Sequence, residues 1–562
     1  MSNSGYQLQT FQGDGVDEGM LARALHDHAT HAQPRMSRLW SYYRNTLVPT
    51  ILERGSRSGS GKWYRLAQEV GLPSRIVGRP GSGLSAWSFD QAKKRREVVV
   101  ENDIAWRVQT MVDFMFGRPV RLVSAARSAA MRDVIERVLD AVWERSGGIA
   151  LLQDMALLGH VYGHIDLVLR ADEAGLRRLA GRVAGRIAAR AGSPGDAMPF
   201  NDDSGAQSMD RDGSALDEVL HALRHEDLLR IEVIEPRRGV AMLDPSDFRT
   251  MRAYVVRQQV AGGPSGSSTG GGGGIEREST RESSFSVRAW LRGDWTPKSW
   301  NDGTGPASDE TVEILSSSHR QVYTCGKLVV DEAWGLTPGV VPVVHIQNIA
   351  QPFQYTGQGD VEPLIPLQDE LNTRLSDRAY RVTLQSFKMF LAKGIEGAET
   401  MFVGPGQIWA TDNPQAEVIP FGGDGDSPSE REHIQEIREA MDKSSGVPPL
   451  ASGVVRAKLG NLTSATALRI TLMGLLTRTA RKRVTYGGGM SRMSAMVLQA
   501  LDAAEVLATR VSDRDVRVQW EDPVPVDVDQ AVRAASEKVT LGVPRERVLD
   551  ELGYGRDDDG LT

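Results

Sequence analysis

The chain has almost no cysteine, no long apolar run and no excess of positive charge. Each lack removes a class of protein. Cys325 is the single cysteine in 562 residues, which excludes an internal disulfide framework and a cysteine-rich zinc site. Without the context of a nucleophile, it reads as a small core residue. No stretch of 18 apolar residues exists, so a membrane-spanning helix is excluded. The opening MSNSGYQLQTFQGDG carries no apolar segment, and no signal peptide is expected; the single cysteine agrees with a reducing, cytoplasm-like compartment. Lys plus Arg number 66 against 73 Asp plus Glu, which removes a whole-protein basic footprint for nucleic acid and leaves room only for a local basic loop.

What is present is a globular composition, 40% hydrophobic and 25% charged, at a length that implies more than one packing unit. The acid is concentrated. From Glu521 to Thr562 there are eleven Asp or Glu against five Lys or Arg, so nearly all of the net charge of -7 sits in the last 42 residues. On a single chain this is a solvated helical tail; gathered in a ring it becomes an acidic collar that repels DNA.

The first half alternates between helical and strand patterns. Residues 36–53 (MSRLWSYYRNTLVPTILE) read as an amphipathic helix with Leu39, Trp40 and Tyr43. Residues 96–123 predict a helix stopped at Gly117 and Pro119 and then a short strand. A helical stretch over 131–158 leads into a strand-like His160–Leu169. Short alternating runs over 229–260 and 285–346 predict strands. Residues 190–214 and the glycine-rich 261–284 read as flexible insertions.

The second half is helical. Leu364, Leu367, Leu371, Leu375, Ala379 and Val382 recur at spacings of 3 and 4, with Pro363 and Pro366 in the first turn. A helix from Pro366 to Lys393 would extend roughly 42 Å. A small β-rich excursion over 395–425 follows. A second helix opens on the capping box Ser427-Pro428-Ser429-Glu430, carries Ile434, Ile437 and Met441 on one face, and stops at Gly446-Val447-Pro448-Pro449. After the irregular LASGVVRAKLGN (450–461), a long helix is expected from Leu462 to about Ala508, kinked or broken at Gly487-Gly488-Gly489. A strand over 516–520 and two short helices close the chain.

Signs of catalysis are missing. GSRSGSGKW (55–63) has Ser56 where a phosphate-binding loop needs its first glycine, and Trp63 where it needs a hydroxyl. Gly266–Gly270 matches a nucleophile elbow only inside low-complexity sequence. His160 and His164 have metalloprotease spacing, but Val161 stands in place of the catalytic glutamate. His26, His28 and His31 could in principle gather a metal, but they read as part of an exposed N-terminal tail. No catalytic residue, metal ligand or cofactor is expected.

Several segments, in order, resemble the portal proteins of tailed bacteriophages, the group like that of the Bacillus phage SPP1. They are 36–45 (MSRLWSYYRN), 101–120 (ENDIAWRVQTMVDFMFGRPV), 159–167 (GHVYGHIDL), 338–348 (PGVVPVVHIQN), 359–393 with Leu375-Ser376-Asp377, and SGVP (445–448) followed by NLTSATAL (461–468). The resemblance implies an α+β portal fold: a flexible N-terminal arm (1–35), a mixed α/β wing (36–360), stem helices (361–393 and 427–446) around a β-rich clip (394–426), a tunnel loop (447–462), a long kinked wing helix and strand (463–525) and a helical crown with the acidic tail (526–562). It also implies a non-enzymatic dodecameric ring at the capsid vertex of a virion, assembled in the host cytoplasm and not in a membrane. Its partners would be double-stranded DNA, terminase, a head-completion adaptor, and the major capsid and scaffolding proteins. Leu364, Leu367, Leu371, Leu375, Ile434, Ile437 and Met441 would pack the stem; Val454, Val455, Arg456, Lys458 and Leu459 would touch DNA in the channel. The alternatives are a DNA-processing enzyme such as a nuclease, or another minor head protein.

Overall fold

A computed structural model describes residues 6–49, 64–77, 97–191, 213–259, 310–386, 389–393, 414–415, 417–421, 428–452, 465–524 and 528–551. The fold class is α+β, as expected, and the chain divides into two compact units, 1–33 with 237–343, and 34–236 with 344–562.

The first unit is built on a five-stranded antiparallel sheet, in the order Lys327–Ala333, His319–Thr324, Glu310–Ser316, Asp247–Gln259 and Gly239–Asp244. The N-terminal segment, expected as a flexible arm, is instead part of this core. A 3-10 turn (Leu8–Asp14) ends at Gly15, whose φ of 71° suits a residue without Cβ. The helix Glu18–Asp27 then starts on Asp17, whose side chain accepts from the Met20 amide. Phe11, Val16 and Leu21 are buried against Met242, Val255, Val312 and Ile314. The apolar residues of this arm are too few and irregular to show a period, so only the sheet beneath reveals their use. Cys325 is likewise corrected: it is exposed, with φ of 50°, beside Gly326 at 76°. Two consecutive positive φ values make the tight turn between two strands, and the turn points its residues outward.

The glycine-rich stretch 261–284 lies outside the described residues, as do 260 and 285–309, the first part of the expected 285–346 strands. Gln259 and Glu310 are the last paired residues of adjacent antiparallel strands, and Arg257 clamps Glu310 with bonds of 2.6 and 3.0 Å. Two strand ends held face to face can be joined by a two-residue turn. Removing the glycine-rich 262–274 is therefore expected to leave thermal unfolding within about 0.5 kcal/mol of the parent, because shortening a loop lowers its closure cost only slowly. A loss of several kcal/mol would show that the insertion packs.

In the second unit the helix expected over 36–53 is α1 (Gln33–Arg44); Asn45, at φ 44°, ends it, and Leu47–Pro49 pairs with Tyr64–Leu66. Asn102 caps α2 (Asp103–Phe116) through the Ala105 amide, and Gly117 stops it as read from sequence. Ala129–Arg145 and α3 (Gly148–Tyr162) follow. The expected strand at 160 starts later. His160–Tyr162 is the last turn of α3, and Gly163, at φ 94°, turns the chain into the strand His164–Ala171. That strand lies between Val343–Gln347 and Leu229–Ile234 in a three-stranded sheet. The insertion at 190–214 is bounded by two helices, Glu173–Ala191 and Gly213–His225, and 192–212 lies outside the described residues.

The C-terminal half holds α4 (Ile365–Ser386), the antiparallel pair Met389–Lys393 with Glu417–Phe421, α5 (Pro428–Ser445), a short helix Ala465–Thr471 and α6 (Met473–Ala503). Two expectations change here. The first helix ends at Ser386, about 33 Å long, because 389–393 finds a strand partner far downstream that no local pattern announces. The glycine triplet does not break the long helix; the interruption falls at Leu472 instead. A Cβ on Gly489 would collide with Ile346, and Gly487 lies against Trp520. Gly489 lets the strand approach the helix closely; a Cβ on Gly487 would make only ordinary contact with the ring, at 3.5 Å, and Gly488 faces open space. The strand Val516–Gln519 and two short helices, Val528–Thr540 and Arg545–Glu551, complete the unit as expected.

Candidate functional site

Within the second unit, polar side chains hold both feet of the helix pair α4/α5, the start of α4 and the end of α5. Gln368, Asn372 and Ser376 stand at i, i+4 and i+8 on α4 and are at most 1% exposed. Together they bind the extended segment 97–104. Gln368 Oε1 accepts from the amides of Asp103 (3.1 Å) and Ile104 (3.3 Å), the unpaired donors at the start of α2. Its Nε2 donates to the Glu101 carbonyl at 2.5 Å. Asn372 Oδ1 accepts from the Glu101 amide, and its Nδ2 donates to Gln68 Oε1, both at 3.0 Å. Ser376 Oγ accepts from the Val99 amide at 3.0 Å. Tyr42 of α1 donates to Asp369 Oδ1 at 2.8 Å, and burial, reinforced by that carboxylate, pushes its phenol up to about 12.

Beneath this ladder lies a buried charged node. Lys482 Nζ of α6 donates to Asp360 Oδ2 at 2.6 Å, and both side chains are 1% exposed. Asn348 Nδ2 adds a bond of 2.9 Å to the same oxygen, and Tyr486 Oη donates to Asn348 Oδ1 at 3.1 Å. Burial alone would raise the Asp360 carboxyl, but the Lys482 ammonium, with Arg478, outweighs it and holds it below the usual carboxylate range. The pair is therefore ionised. Burial, with the Lys482 charge, lowers His160 to about 3, so this imidazole stays neutral. The backbone makes room through glycine. Gly163 packs on the backbone of Gly357 and Gly359, and Gly159 lies beneath the Tyr486 hydroxyl.

The other foot, the end of α5, is gripped from two sides. Arg107 of α2, 1% exposed, donates to Ser445 Oγ (2.9 Å), the Val447 carbonyl (3.0 Å) and Asp442 Oδ1 (2.6 Å). Arg478 of α6 donates to the Ser445 carbonyl at 2.5 Å. Gly446, at φ 70°, turns the chain away beneath the Arg478 side chain. A third polar group sits nearby on the three-stranded sheet. His345 places Nδ1 2.7 Å from Asp166 Oδ1 and Nε2 2.7 Å from the Tyr355 carbonyl, with its ring stacked on Tyr355. It lacks a neighbouring nucleophile, and both nitrogens are occupied, so it serves as a brace.

The apolar stripe of the helix pair is placed as follows. Leu364, Leu371, Ile434, Ile437 and Met441 are buried. Leu367, Leu375 and Ala379 are half-buried, and Val382 is 51% exposed. Glu370 stands 3.6 Å from His433 across the pair, and Arg381 reaches Glu430. Val454, Val455, Arg456, Lys458 and Leu459 lie outside the described residues. Asp360, Lys482, Arg478 and Arg107 were not singled out from sequence, since their hydrogen-bond partners are 33 to 340 positions away. The polar ladder did leave a signal. Gln368, Asn372 and Ser376 repeat every four residues along the helix. Among the described residues, no three His, Cys, Asp or Glu gather to hold a metal, and no helix is long and apolar enough to cross a membrane.

No curated protein matches the chain. Among solved structures it is similar to a chain in the neck of an empty GTA particle computed with C6 symmetry, at 13% identity and a TM-score of 0.41, covering 80% of this chain and 90% of that one. It is also similar to a chain in the neck of a native GTA particle computed with C12 symmetry, at 11% identity and a TM-score of 0.38, covering 80% and 88%. A third is from the virion of a native gene transfer agent particle, at 12% identity and a TM-score of 0.37, covering 90% and 98%. Residues 331–555, the stretch that holds the helix pair, its two gripped feet and the long helix, match the family of phage portal proteins described as SPP1 Gp6-like.

Proposed function

We propose that the protein is a portal protein, a homo-oligomeric and most simply dodecameric ring at one capsid vertex, through which DNA is packaged by terminase and later ejected. The observation that carries this reading is the family match over 331–555. On this reading 36–360 is most of the wing, α4 and α5 are the stem, 394–426 is the clip that meets terminase and then the head-completion adaptor, and 447–462 is the tunnel loop. The long helix and strand over 463–525 belong to the wing, and 526–562 is the crown inside the shell. The major capsid and scaffolding proteins are the remaining partners, and the protein acts in the virion without covalent chemistry.

The helix pair suits a neighbour of its own kind. Leu367, Leu375 and Val382 keep apolar surface that a second copy can cover in a ring. A channel must let DNA slide, and each phosphate neutralised by Lys or Arg tightens binding. The exposed Glu432, Glu436 and Glu439 at i, i+4 and i+7 of α5, and the acidic tail, keep the charge of the conduit low. Arg456 and Lys458 are the cations of the tunnel loop, and repeated around a ring they would form one narrow positive annulus that restrains the duplex, with Val454, Val455 and Leu459 against its grooves.

The test is a single series. Native mass spectrometry and negative-stain images of the purified protein are expected to show closed rings with a central hole; monomers or dimers alone at micromolar concentration, or metal-dependent cleavage of DNA, would overturn the reading. The Arg456→Ala/Lys458→Ala variant is expected to form the same rings while packaging or retaining less DNA per procapsid. Unchanged packaging and retention would make this loop an ordinary solvated one.

A further inference from the structure

The two feet of the helix pair share one guanidinium. Arg478 Nη1 donates to the Ser445 carbonyl at the end of α5, and the same nitrogen stands 3.7 Å from Asp360 Oδ1, just ahead of α4. That distance is too long for a hydrogen bond. Asp360 Oδ1 is buried and has no other donor, since Lys482 and Asn348 both serve Oδ2. A buried acceptor without a donor is costly, and here the missing donor is within reach.

We propose that Arg478 is a two-position latch that couples the start of α4 to the segment following α5. In the position seen, it holds the Ser445 carbonyl and leaves Asp360 Oδ1 unsatisfied. In the other it completes Asp360 and leaves the Ser445 carbonyl, in a residue 1% exposed, without a donor. Each position leaves one buried acceptor unsatisfied, so neither is complete, and a displacement of either foot that brings one acceptor nearer favours that position. Gly446 is what permits the swing: it has no side chain under the Arg478 stem, where a Cβ would lie 3.2 Å from Cδ. In the second position 446–452 loses its tie to α6. On the portal reading, this segment opens the tunnel loop, so the latch would connect the loop with the stem of the same subunit. Arg107 keeps its own bonds in both positions and limits the release to the Arg478 side.

Hydrogen exchange of the full-length protein, read at the amides of Gly446, Val447 and Ala451, tests the latch. Those amides are bonded to the Asp442 carbonyl, Ser445 Oγ and the Pro448 carbonyl. Arg478→Gln should speed their exchange about tenfold or more, the loss of one charge-assisted bond. Lys482→Met should speed it as well, because Asp360 without its ammonium draws Arg478 away. The double variant Asp360→Asn/Lys482→Met removes the competing carboxylate without stranding a buried charge, and should slow exchange below the parent rate. Parent-rate exchange in Lys482→Met, or, if that variant does not fold, exchange in the double variant no slower than the parent, would reduce Arg478 to a static tie; no change in Arg478→Gln would remove it as a tie altogether. The measurement needs neither rings nor DNA, so it can fail while the portal reading stands, and the reverse.

Discussion

Replacing Gly163 by alanine is expected to destabilise the second unit by about 3–5 kcal/mol, the sum of a left-handed backbone and an overpacked contact. Gly163 holds φ at 94°, a value that L side chains rarely adopt. The space beyond it is filled by main chain, the Gly357 carbonyl and the Gly359 amide, so no rotamer change can relieve the collision. The same turn receives the Asn348 amide on the Gly163 carbonyl at 2.9 Å. Backing it away would also disturb the residue that steadies Asp360. Urea unfolding checks the value, and Gly488→Ala is the control. That position is helical with open space around it, and alanine there should be neutral or add up to about 1 kcal/mol. Equal effects at the two sites would show that helix propensity, not close approach, governs these glycines.

Removal of the Arg107 guanidinium should cost a similar amount, about 3–5 kcal/mol for Arg107→Leu. The change leaves Asp442 Oδ1, Ser445 Oγ and the Val447 carbonyl without this donor, and removes the positive charge 3.8 Å from Asp103, which is 6% exposed. Lysine is expected to recover only part of the loss, because one ammonium on a flexible stem cannot reach acceptors spread around a planar fork. Denaturant midpoints give the size of the effect. Limited proteolysis between 446 and 452 gives its place, and cleavage there should rise before cleavage within α4. A loss below about 1 kcal/mol would mean that α5 ends securely without Arg107.

Comparison of particular elements shows where reading by pattern stops. α4 was legible from leucines every three or four positions, and α5 from a capping box followed by a Gly-Val-Pro stop, because helix periodicity and end signals act over a few residues. The course of α6 through three glycines was not legible. Taken locally, glycine weakens a helix, and only Ile346, which a Cβ on Gly489 would strike, explains why that position lacks a side chain. The strand at 389–393 was read as the end of a helix for the same reason, since its partner lies at 417–421. His160 and His164 invited a metal-site test by spacing. The structure puts one on a helix and the other on a strand, with a glycine turn between.

The sequence by itself determined the α+β class, the order of the elements and the portal resemblance, because these follow from hydrophobic period, turn chemistry and the linear order of motifs. Only the tertiary structure decided what anchors the helix pair. Asp360 with Lys482, Arg107 with Ser445 and Val447, and Arg478 between both feet are isolated charges along the chain, indistinguishable there from solvated ones. Burial makes them expensive unless each meets its partner, and that meeting is a property of the packed fold, set by residues 33 to 340 positions apart.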